Sequence, residues 1–318
     1  MLTENSLCES SLCVVGNINR DLKASPIPAS DRLFNDGETS VDWLAETIGG
    51  GGANSACAAA ALGAHVSLMA KIGNDGLADR LSRTLQSHRV TDCLTRSAGV
   101  ATGTSLALSF TTGHRHFLSC NPSSRSLTLA DLDLSALDGH DHLLRADVWF
   151  SESMLFAGNK LLLEAARNRG LQISLDINWD PSWGVADSKT IAARKEAVRK
   201  ILPLVNLAHG NVRELCHFAD ARDLEGAVKS LSRWGTESVV IHFGERGAGY
   251  FDGKEIVIEP PILARQQVNT TGTGDVLSVC MMLLHHSGAP IRDRLRLANQ
   301  IVSEFIEGRR QLIPVLAD

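Results

Sequence analysis

The sequence lacks the features of several classes of protein. It has no run of about 18 or more uninterrupted apolar residues, the length that crosses a bilayer. Its 31 Lys and Arg residues are outnumbered by 36 Asp and Glu residues, and it has no dense Lys/Arg run, so the basic surface that binds nucleic acid is missing. The seven cysteines contain no Cys-x-x-Cys pair that would indicate a metal knuckle or a redox site. We therefore expect no membrane and no nucleic-acid partner.

The first residues have neither the basic flank nor the apolar run of a secretory signal peptide, so we expect no secretion. The odd number of scattered cysteines is typical of buried thiols in a reducing compartment, so we expect a cytoplasmic protein. Internal repeats and low-complexity linkers are also missing. The 318 residues, 44% hydrophobic and 21% charged, can bury a large core, and we expect one domain over residues 1–318 with an accessory piece.

Short apolar runs alternate with longer amphipathic stretches along most of the chain. This alternation indicates βαβ units, and therefore an α/β fold with a mostly parallel sheet covered by helices on both faces. We predict strands at residues 12–15, 65–72, 147–150, 172–176, 205–208 and 238–243, and helices at 53–62, 76–87, 159–168, 190–200 and 274–286.

Two stretches break this rhythm, residues 22–47 and 103–118. In the second, apolar and polar residues alternate from Thr104 to Phe110, as in a strand with two different faces. We predict that both stretches form a small β-sheet lid over one end of the main sheet. The predicted core then covers about 1–21, 49–100 and 120–318, and the lid about 22–48 and 101–119.

A glycine-rich turn at Thr270–Asp275 precedes an apolar helical stretch. Glycines in such a turn let successive backbone N–H groups converge, and the helix dipole adds positive potential, so the turn could form an anion hole. The carboxylate of Asp275 could then take a proton from a substrate hydroxyl while the amides stabilise a transferring phosphoryl group. Taken alone, the same residues also describe an ordinary helix N-cap.

Three further segments accompany this turn: Gly16–Asp21, Ile48–Asn54 and Lys71–Gly76. In their order and spacing, these segments and the Gly-Thr-Gly-Asp turn resemble the ribokinase (PfkB) family of carbohydrate and nucleoside kinases, over nearly the whole chain. The resemblance implies a Rossmann-like core with a β lid, ATP as phosphoryl donor and Mg²⁺ as the accompanying metal.

The resemblance also implies roles for individual residues on the acceptor side. Asp275 matches the catalytic base of the family, and the amides of the preceding turn match its anion hole. The acceptor would be bound by polar groups and by glycines that allow close backbone approach. These residues are Gly272, Thr273 and Gly274 for the anion hole, and Asn19, Asp21, Gly50, Gly51 and Asn54 for the substrate.

On the nucleotide side, Asn211 and Glu214 resemble an Asn-x-x-Glu motif that places Mg²⁺ and its waters near the ATP phosphates. The same spacing also describes a capping box at a helix start. Gly244, Arg246 and Gly247 resemble the family's glycine loop at the nucleotide, although Arg246 fits a solvated loop arginine equally well. Asn299 falls where the family often has an adenine-side Asn.

Departures from the family pattern bear on the acceptor and on ions. Asn269 replaces an Asp, which puts a monovalent-cation site in doubt, and Thr273 replaces an Ala without removing a backbone N–H. Asp180 stands where fructokinases and ketodeoxygluconate kinases carry an arginine, and Gly51 stands where ribokinases carry a lysine. A missing cation disfavours an acidic or phosphorylated sugar, so we expect a neutral sugar as the small-molecule substrate.

Two other functions remain open. A nucleoside kinase on the same fold is favoured if the lid offers an aromatic stacking surface, for which Phe34, Trp43, Phe110 and Phe117 are available. A catalytically silent sugar-binding or regulatory protein is disfavoured, because it has no chemical need for Asp275. The second face of the alternating lid strand suggests a homodimer formed through the lid.

Overall fold

The computed structural model of the chain contains two β-sheets. It describes residues 7–8, 10–112, 114–268, 271–285 and 287–317. The strands in chain order are β1 (Ser11–Val15), β2 (Asn19–Ala24), β3 (Leu44–Gly49), β4 (His65–Gly73), β5 (Val90–Ser97), β6 (Gly103–Ser109), β7 (Arg115–Cys120), β8 (His142–Arg145), β9 (Gln172–Asp176), β10 (Leu207–Asn211), β11 (Ser238–His242), β12 (Ala248–Phe251) and β13 (Ile256–Glu259).

The helices connect these strands. In chain order they are α1 (Gly51–Ala61), α2 (Gly76–Ser87), α3 (Pro122–Arg125), α4 (Asn159–Asn168), α5 (Ser188–Arg199), α6 (Val212–Ala219), α7 (Leu224–Arg233), α8 (Thr273–Leu283) and α9 (Ile291–Ile306). Aspartates cap several of them: the side chain of Asp75 accepts from the N–H of Ala78 at the start of α2, and Asp223 does the same for Gly226 in α7.

The large sheet has nine strands in the order β13-β12-β11-β10-β9-β8-β1-β4-β5. The strands from β5 to β11 run parallel, and β12 and β13 add an antiparallel edge. Helices cover both faces. Leu12 and Val14 of β1 face a core shared with α1, α8 and α9, whereas Cys13 and Val15 face a second core shared with α4, α6 and α7. The predicted α/β fold class is thus confirmed.

The small sheet has four strands in the order β3-β2-β6-β7. β2 pairs with β6 in parallel, and the other two pairs are antiparallel. The chain enters this sheet just after β1 ends and leaves it at Gly49, just before α1 begins. The small sheet therefore lies at the carboxyl end of β1, where an α/β sheet binds its ligands.

The predicted strand at residues 147–150 is wrong. The strand in this region, β8, ends at Arg145, and Asp147 has φ 54°, a left-handed conformation that stops a strand. Val148 and Trp149 are fully buried without belonging to a strand, so their apolar character reflects burial alone. The edge strand β5 was not predicted, because its Thr, Asp and Arg residues show no apolar run.

Other elements begin or end a few residues away from their predicted bounds. β10 begins two residues later than the predicted strand at 205–208, and α8 ends at Leu283. His286, the predicted end of that helix, lies outside the described residues. No helix in the described part of the chain has the length and apolar character needed to cross a membrane.

Candidate active site

Four neighbouring parallel strands of the large sheet, β8 to β11, reach the same edge, and each ends in a polar residue or just before one. Asp147 lies two residues beyond β8, while Asp176, Asn211 and His242 are the last residues of β9, β10 and β11. Helix α8 begins at the same edge with Gly272 as its N-cap, in the left-handed conformation with φ 86°. The amides in the first turn of a helix have no intrahelical acceptor, so they are available to an anion.

Asp275 lies in this first turn of α8. Its Oδ2 accepts a hydrogen bond of 2.9 Å from Nδ2 of Asn54 in α1, which joins the two predicted glycine-rich segments directly. Burial raises the pKa of Asp275 to about 7, although the Asn54 hydrogen bond acts in the opposite direction. Oδ1 of Asn54 is buried and has no hydrogen-bond partner among the described residues. It is a free acceptor beside Asp275, suited to a ligand hydroxyl.

Acidic side chains cluster around Asp275. The charges of Asp147, Glu214 and Asp21 each raise the pKa of Asp275 further. The pKa of Asp176 lies well above its usual value because of burial and because of Glu214, Asp275 and Asp147. Such mutual repulsion leaves an excess of negative charge that a divalent cation would relieve. No group of three or more His, Cys, Asp or Glu in the described ranges has metal-binding geometry of its own.

Asp21 and Asn19 approach the site from β2 of the small sheet. Nδ2 of Asn19 donates to Oδ1 of Asp21 at 2.7 Å, and both residues are buried. Burial raises the pKa of Asp21 to about 6. A Cβ on Gly49 would lie 2.2 Å from Oδ1 of Asp21, so glycine is needed where β3 passes this carboxylate. Gly50 has φ 89°, a conformation that favours glycine.

Asp147 is a site residue that the sequence reasoning missed. Its Oδ2 accepts from the backbone N–H groups of Asn17 at 2.8 Å and Gly52 at 2.9 Å. The carboxylate thus fixes the end of β1 against the start of α1, and a Cβ on Gly51 would lie 3.0 Å from its Oδ1. The available signal was a single acidic residue within the apolar run Ala146–Phe150.

Asn211 and Glu214 form the capping box that the sequence allowed as an alternative to a metal motif. The N–H of Asn211 donates to Oε2 of Glu214 at 2.8 Å, and the N–H of Glu214 donates to Oδ1 of Asn211 at 2.9 Å. Burial raises the pKa of Glu214. Because the capping box uses only one oxygen of Glu214, the other is free to accept from a metal-bound water.

The three residues predicted for the nucleotide loop lie between β11 and β12. Gly244 and Gly247 have φ 61° and 96°, and a Cβ on Gly247 would lie 2.3 Å from the carbonyl oxygen of Glu259. Arg246 is exposed, and its guanidinium lies 5.4 Å from the ring centroid of Phe243. Arg246 thus has the position of a solvated loop arginine, which was the alternative to a phosphate-binding role.

Asn299 is buried in α9. Its Nδ2 donates to the carbonyl oxygens of Glu259 at 3.2 Å and Pro260 at 2.9 Å. The amide nitrogen therefore anchors the end of β13, which leaves only the side-chain oxygen for a ligand. Asn269, on which the doubt about a monovalent cation rests, lies outside the described residues, as does Thr270.

His242 is a second residue that the sequence reasoning missed. Its Nε2 lies 3.0 Å from Oγ of Ser278 in α8, and its Nδ1 would lie 3.1 Å from a Cβ on Gly274. Burial lowers the pKa of His242 to about 4, so the ring is neutral at physiological pH. The ring packs against the first turn of α8 and supports the position of that turn. No local sequence pattern indicates this contact, because 36 residues separate His242 from Ser278.

Asp180 does not have the environment that the sequence argument assumed. Its side chain is fully buried, and its carboxylate accepts from Arg194 at 2.7 Å and 3.1 Å and from the N–H of Ser182 at 2.9 Å. Asp180 is therefore one half of a structural ion pair. An unpaired negative charge at Asp180 was one reason to expect a neutral sugar. The ion pair with Arg194 removes that reason.

Curated proteins match parts of the chain, among them a cytidine kinase and a ribokinase. A cytidine kinase from Thermococcus kodakarensis is 27% identical over 142 residues, which cover 44% of this chain and 49% of that protein. A ribokinase from Bacillus subtilis is 36% identical over 81 residues, which cover 25% and 26% of the two chains. The matched segments thus span about half and about a quarter of these relatives.

Solved structures match the fold over nearly its whole length. A ribokinase II candidate from E. coli in complex with ATP and Mg²⁺ superposes with a TM-score of 0.77 at 20% identity, over 94% of this chain and 93% of that one. Adenosine kinase from Sinorhizobium meliloti superposes with a TM-score of 0.76 at 17% identity, over 94% of each chain. The model of the pfkB family of carbohydrate kinases matches residues 9–309. The chain therefore belongs to the pfkB carbohydrate kinase family.

Proposed function

We propose that the protein is an ATP-dependent kinase that transfers the γ-phosphoryl group of ATP to a primary hydroxyl of a sugar, with Asp275 as general base. The observation that carries this proposal is the environment of Asp275. A carboxylate whose burial raises its pKa to about 7 lies among the first amides of α8. A base of this pKa accepts a proton efficiently near neutral pH, and the adjacent amides suit a phosphoryl group.

The chain's own groups account for the chemical step. The carboxylate of Asp275 takes the proton of the acceptor hydroxyl as its oxygen attacks the γ-phosphorus, and the bond from phosphorus to ADP breaks on the opposite side. The amides of Gly272, Thr273 and Gly274 stabilise the equatorial oxygens. Asn54 orients the Asp275 carboxylate through its 2.9 Å hydrogen bond. The small sheet excludes water, which would otherwise accept the phosphoryl group.

The site suits Mg²⁺ as well as ATP. Glu214 keeps one carboxylate oxygen outside its capping box, and the raised pKa of Asp176 reflects an excess of negative charge at this point. Magnesium usually keeps several waters and shares its coordination with substrate phosphates, so it needs no cage made only of protein ligands. When bound, Mg²⁺ would neutralise charge that develops on the phosphates.

The acceptor would lie between the small sheet and α8. Asp21 is suited to accept hydrogen bonds from two acceptor hydroxyls, and the free Oδ1 of Asn54 could accept from a third. Gly50 and Gly51 allow the backbone to approach the acceptor closely. On the donor side, Asn211, Gly244, Gly247 and Asn299 remain our assignments for the nucleotide, and Arg246 could reach its phosphates.

One observation favours a nucleoside kinase as the second candidate. Phe117 of β7 pairs with Ala107 of β6, which pairs with Lys23 of β2, so Phe117 lies on the same face of the small sheet as Asp21. Its side chain is 44% exposed, and an exposed ring on this face could stack on a nucleobase. The side chain of Phe34, another aromatic considered from the sequence, lies outside the described part of the chain.

Acceptor-dependent ADP release tests the proposed function. The purified protein would be assayed with ATP and Mg²⁺ against a panel of neutral sugars, sugar acids, sugar phosphates and nucleosides. We expect turnover with members of a sugar class and a loss of about 10²–10⁴-fold in Asp275→Asn, the usual contribution of a general base. Turnover within tenfold of the parent in Asp275→Asn would show that another group is the base. Binding of acceptors without ADP release would instead identify a silent binding protein.

A further inference from the structure

The face of the small sheet that carries Asp21 also carries two cationic side chains. Asp21 and Lys23 are two residues apart on β2, so their side chains lie on one face. The strand register places Ala107 of β6 between Lys23 and Phe117 of β7. Arg115 precedes Phe117 by two residues and therefore shares this face.

Arg115 contacts the residue that precedes the proposed catalytic turn, and Lys23 lies near Arg115. Nη1 of Arg115 donates to Oγ1 of Thr271 at 3.2 Å, directly before the Gly272 N-cap of α8. Burial lowers the pKa of Lys23, the charge of Asp21 raises it and the charge of Arg115 lowers it again. Lys23 is thus close enough to both residues to sense their charges.

In the described ranges, no Asp or Glu oxygen lies within 4.0 Å of the charged nitrogens of Lys23 or Arg115. Arg20, on the opposite face of β2, is by contrast paired with Glu46 at 3.1 Å. A half-buried lysine beside an arginine loses hydration and is repelled by its neighbour, and a bound anion would offset both costs.

We propose that the acceptor carries an anionic group, a carboxylate or a phosphate, which Lys23 and Arg115 bind while the hydroxyls of the acceptor face Asp21. This inference rests on the proposed kinase function, and it names the class of acceptor. The cations come from two strands of the small sheet and not from the segment after β9 that contains Asp180. Charge-assisted hydrogen bonds from both residues hold the acceptor in place and select it over neutral sugars.

The test compares acceptors that keep a primary hydroxyl and differ in charge: D-fructose, D-gluconate and D-fructose 6-phosphate. We expect the parent to have a higher kcat/KM for an anionic member than for fructose. Lys23→Met and Arg115→Gln should each raise the KM of the anionic acceptor by roughly ten- to hundredfold, the value of one hydrogen bond to a charged group. The KM of ATP should stay within about twofold. The gluconate and phosphate arms tell which anion the site takes.

Arg20→Gln is the matched control, because it removes a cation from the other face of the same strand. It should leave the KM of the anionic acceptor unchanged, and Lys23→Arg should restore most of the affinity lost in Lys23→Met. Thermal unfolding of each variant would verify that it is folded. Preference of the parent for fructose, or an equal effect of both variants on ATP and on every acceptor, would overturn the inference.

Calorimetric titration of the same three compounds without nucleotide separates this inference from the proposed function. Anionic compounds that bind the parent and fail to bind Lys23→Met would support the anion site even if no ADP were released, and the kinase proposal alone would then fail. ADP release with fructose alone would leave the kinase proposal standing and overturn the anion site. Neither binding nor turnover with any member would overturn the anion site.

Discussion

The raised pKa of Asp275, the proposed general base, has a cost in stability. The unfolded chain would ionise this carboxyl near pH 4, whereas burial in the folded protein raises its pKa to about 7. Between these values the folded state holds one more proton than the unfolded state, so its stability falls as the pH rises. Above pH 7 the full penalty is present. The carboxylate therefore destabilises the fold at the pH at which it would act as the proposed base.

We predict that Asp275→Asn, besides losing about 10²–10⁴-fold in turnover, is more stable than the parent at pH 8. Asparagine keeps an oxygen that can accept from Asn54 and cannot ionise, so the variant avoids the penalty. The difference in the free energy of unfolding should be on the order of 1–3 kcal/mol at pH 8 and should nearly vanish at pH 4. Denaturant unfolding at both values measures it. A variant less stable than the parent at pH 8 would contradict the assigned environment.

The same pKa predicts the pH dependence of turnover. Asp275 acts as a base only when it is deprotonated, so kcat/KM for the acceptor should rise about tenfold per pH unit below pH 7 and level off above it. This ratio reports the protonation of the free enzyme. Initial rates from pH 5 to 9 at low acceptor concentration give the profile. A flat profile across this range would argue against Asp275 as the titrating base.

His242 should affect the rate more than acceptor binding. Its ring packs against Gly274 and its Nε2 contacts Ser278, so it supports the turn whose amides are proposed to bind the phosphoryl group. We expect His242→Ala to lower kcat about tenfold or more with little change in the KM of the acceptor. His242→Phe keeps a ring in place and should retain more activity. Steady-state kinetics of both variants test this, and equal kcat values in the parent and His242→Ala would exclude a positioning role.

The sequence singles out individual candidate residues where a motif is local. Asn54 and Asp275 each belong to a glycine-rich segment, and the structure joins their side chains at 2.9 Å. Asp147 and His242 act through contacts between distant parts of the chain, with separations of 130 residues to Asn17 and 36 residues to Ser278. Such contacts depend on strand order, which local patterns do not specify.

At the scale of elements, close backbone approach explains the first glycine-rich segment. Gly49 ends β3 directly beside Asp21, and a Cβ there would lie 2.2 Å from Oδ1 of that carboxylate. Gly16 and Gly52 meet where β1 ends and α1 begins, because a Cβ on Gly16 would lie 2.7 Å from Cα of Gly52. These contacts let the small sheet and α1 converge on the proposed acceptor site.

We predict that Gly49→Ala impairs acceptor binding specifically. The added methyl group would displace the Asp21 carboxylate, so the KM of the acceptor should rise about tenfold or more, the loss expected for a hydrogen bond to a charged group. The KM of ATP should change little. Gly76→Ala is the control, because a Cβ at Gly76 has no atom within 4 Å. Steady-state kinetics with each substrate varied in turn would show the effect, and an unchanged acceptor KM in Gly49→Ala would contradict it.

Elements were predictable where amphipathic period and burial agreed. Helices α2 and α4 and strand β9 have the bounds that the pattern indicated. The strand β8 was predicted at the wrong residues because Val148 and Trp149 are buried without pairing in the sheet. Burial alone does not make these residues a strand. β5 was missed for the opposite reason, since an edge strand pairs through its backbone while its side chains remain polar.

At the scale of the whole molecule, the two faces of the small sheet differ. One face carries Asp21, and the other carries exposed apolar side chains. Leu22, Leu106 and Leu118 form one row across β2, β6 and β7 on the face opposite Asp21, and Leu44 of β3 pairs with Ala24 on that same face. Leu44 is 73% exposed and Leu118 is 54% exposed. Apolar side chains exposed together in this way often mark a protein–protein contact.

We therefore predict a homodimer that buries this face of the small sheet. A two-fold interface uses the same patch on both copies, so one substitution places a charge on each side of it. Two buried, unpaired charges would strongly oppose association. Light scattering at micromolar concentration should give twice the chain mass of 34.2 kDa for the parent, and a single chain mass for Leu118→Glu. Val185→Glu is the matched control, because Val185 is 83% exposed and lies outside both sheets. A monomeric parent, or a Leu118→Glu variant that remains dimeric, would count against this interface. If the small sheet of the second copy helps to close the acceptor site, Leu118→Glu should also weaken acceptor binding while ATP binding is preserved.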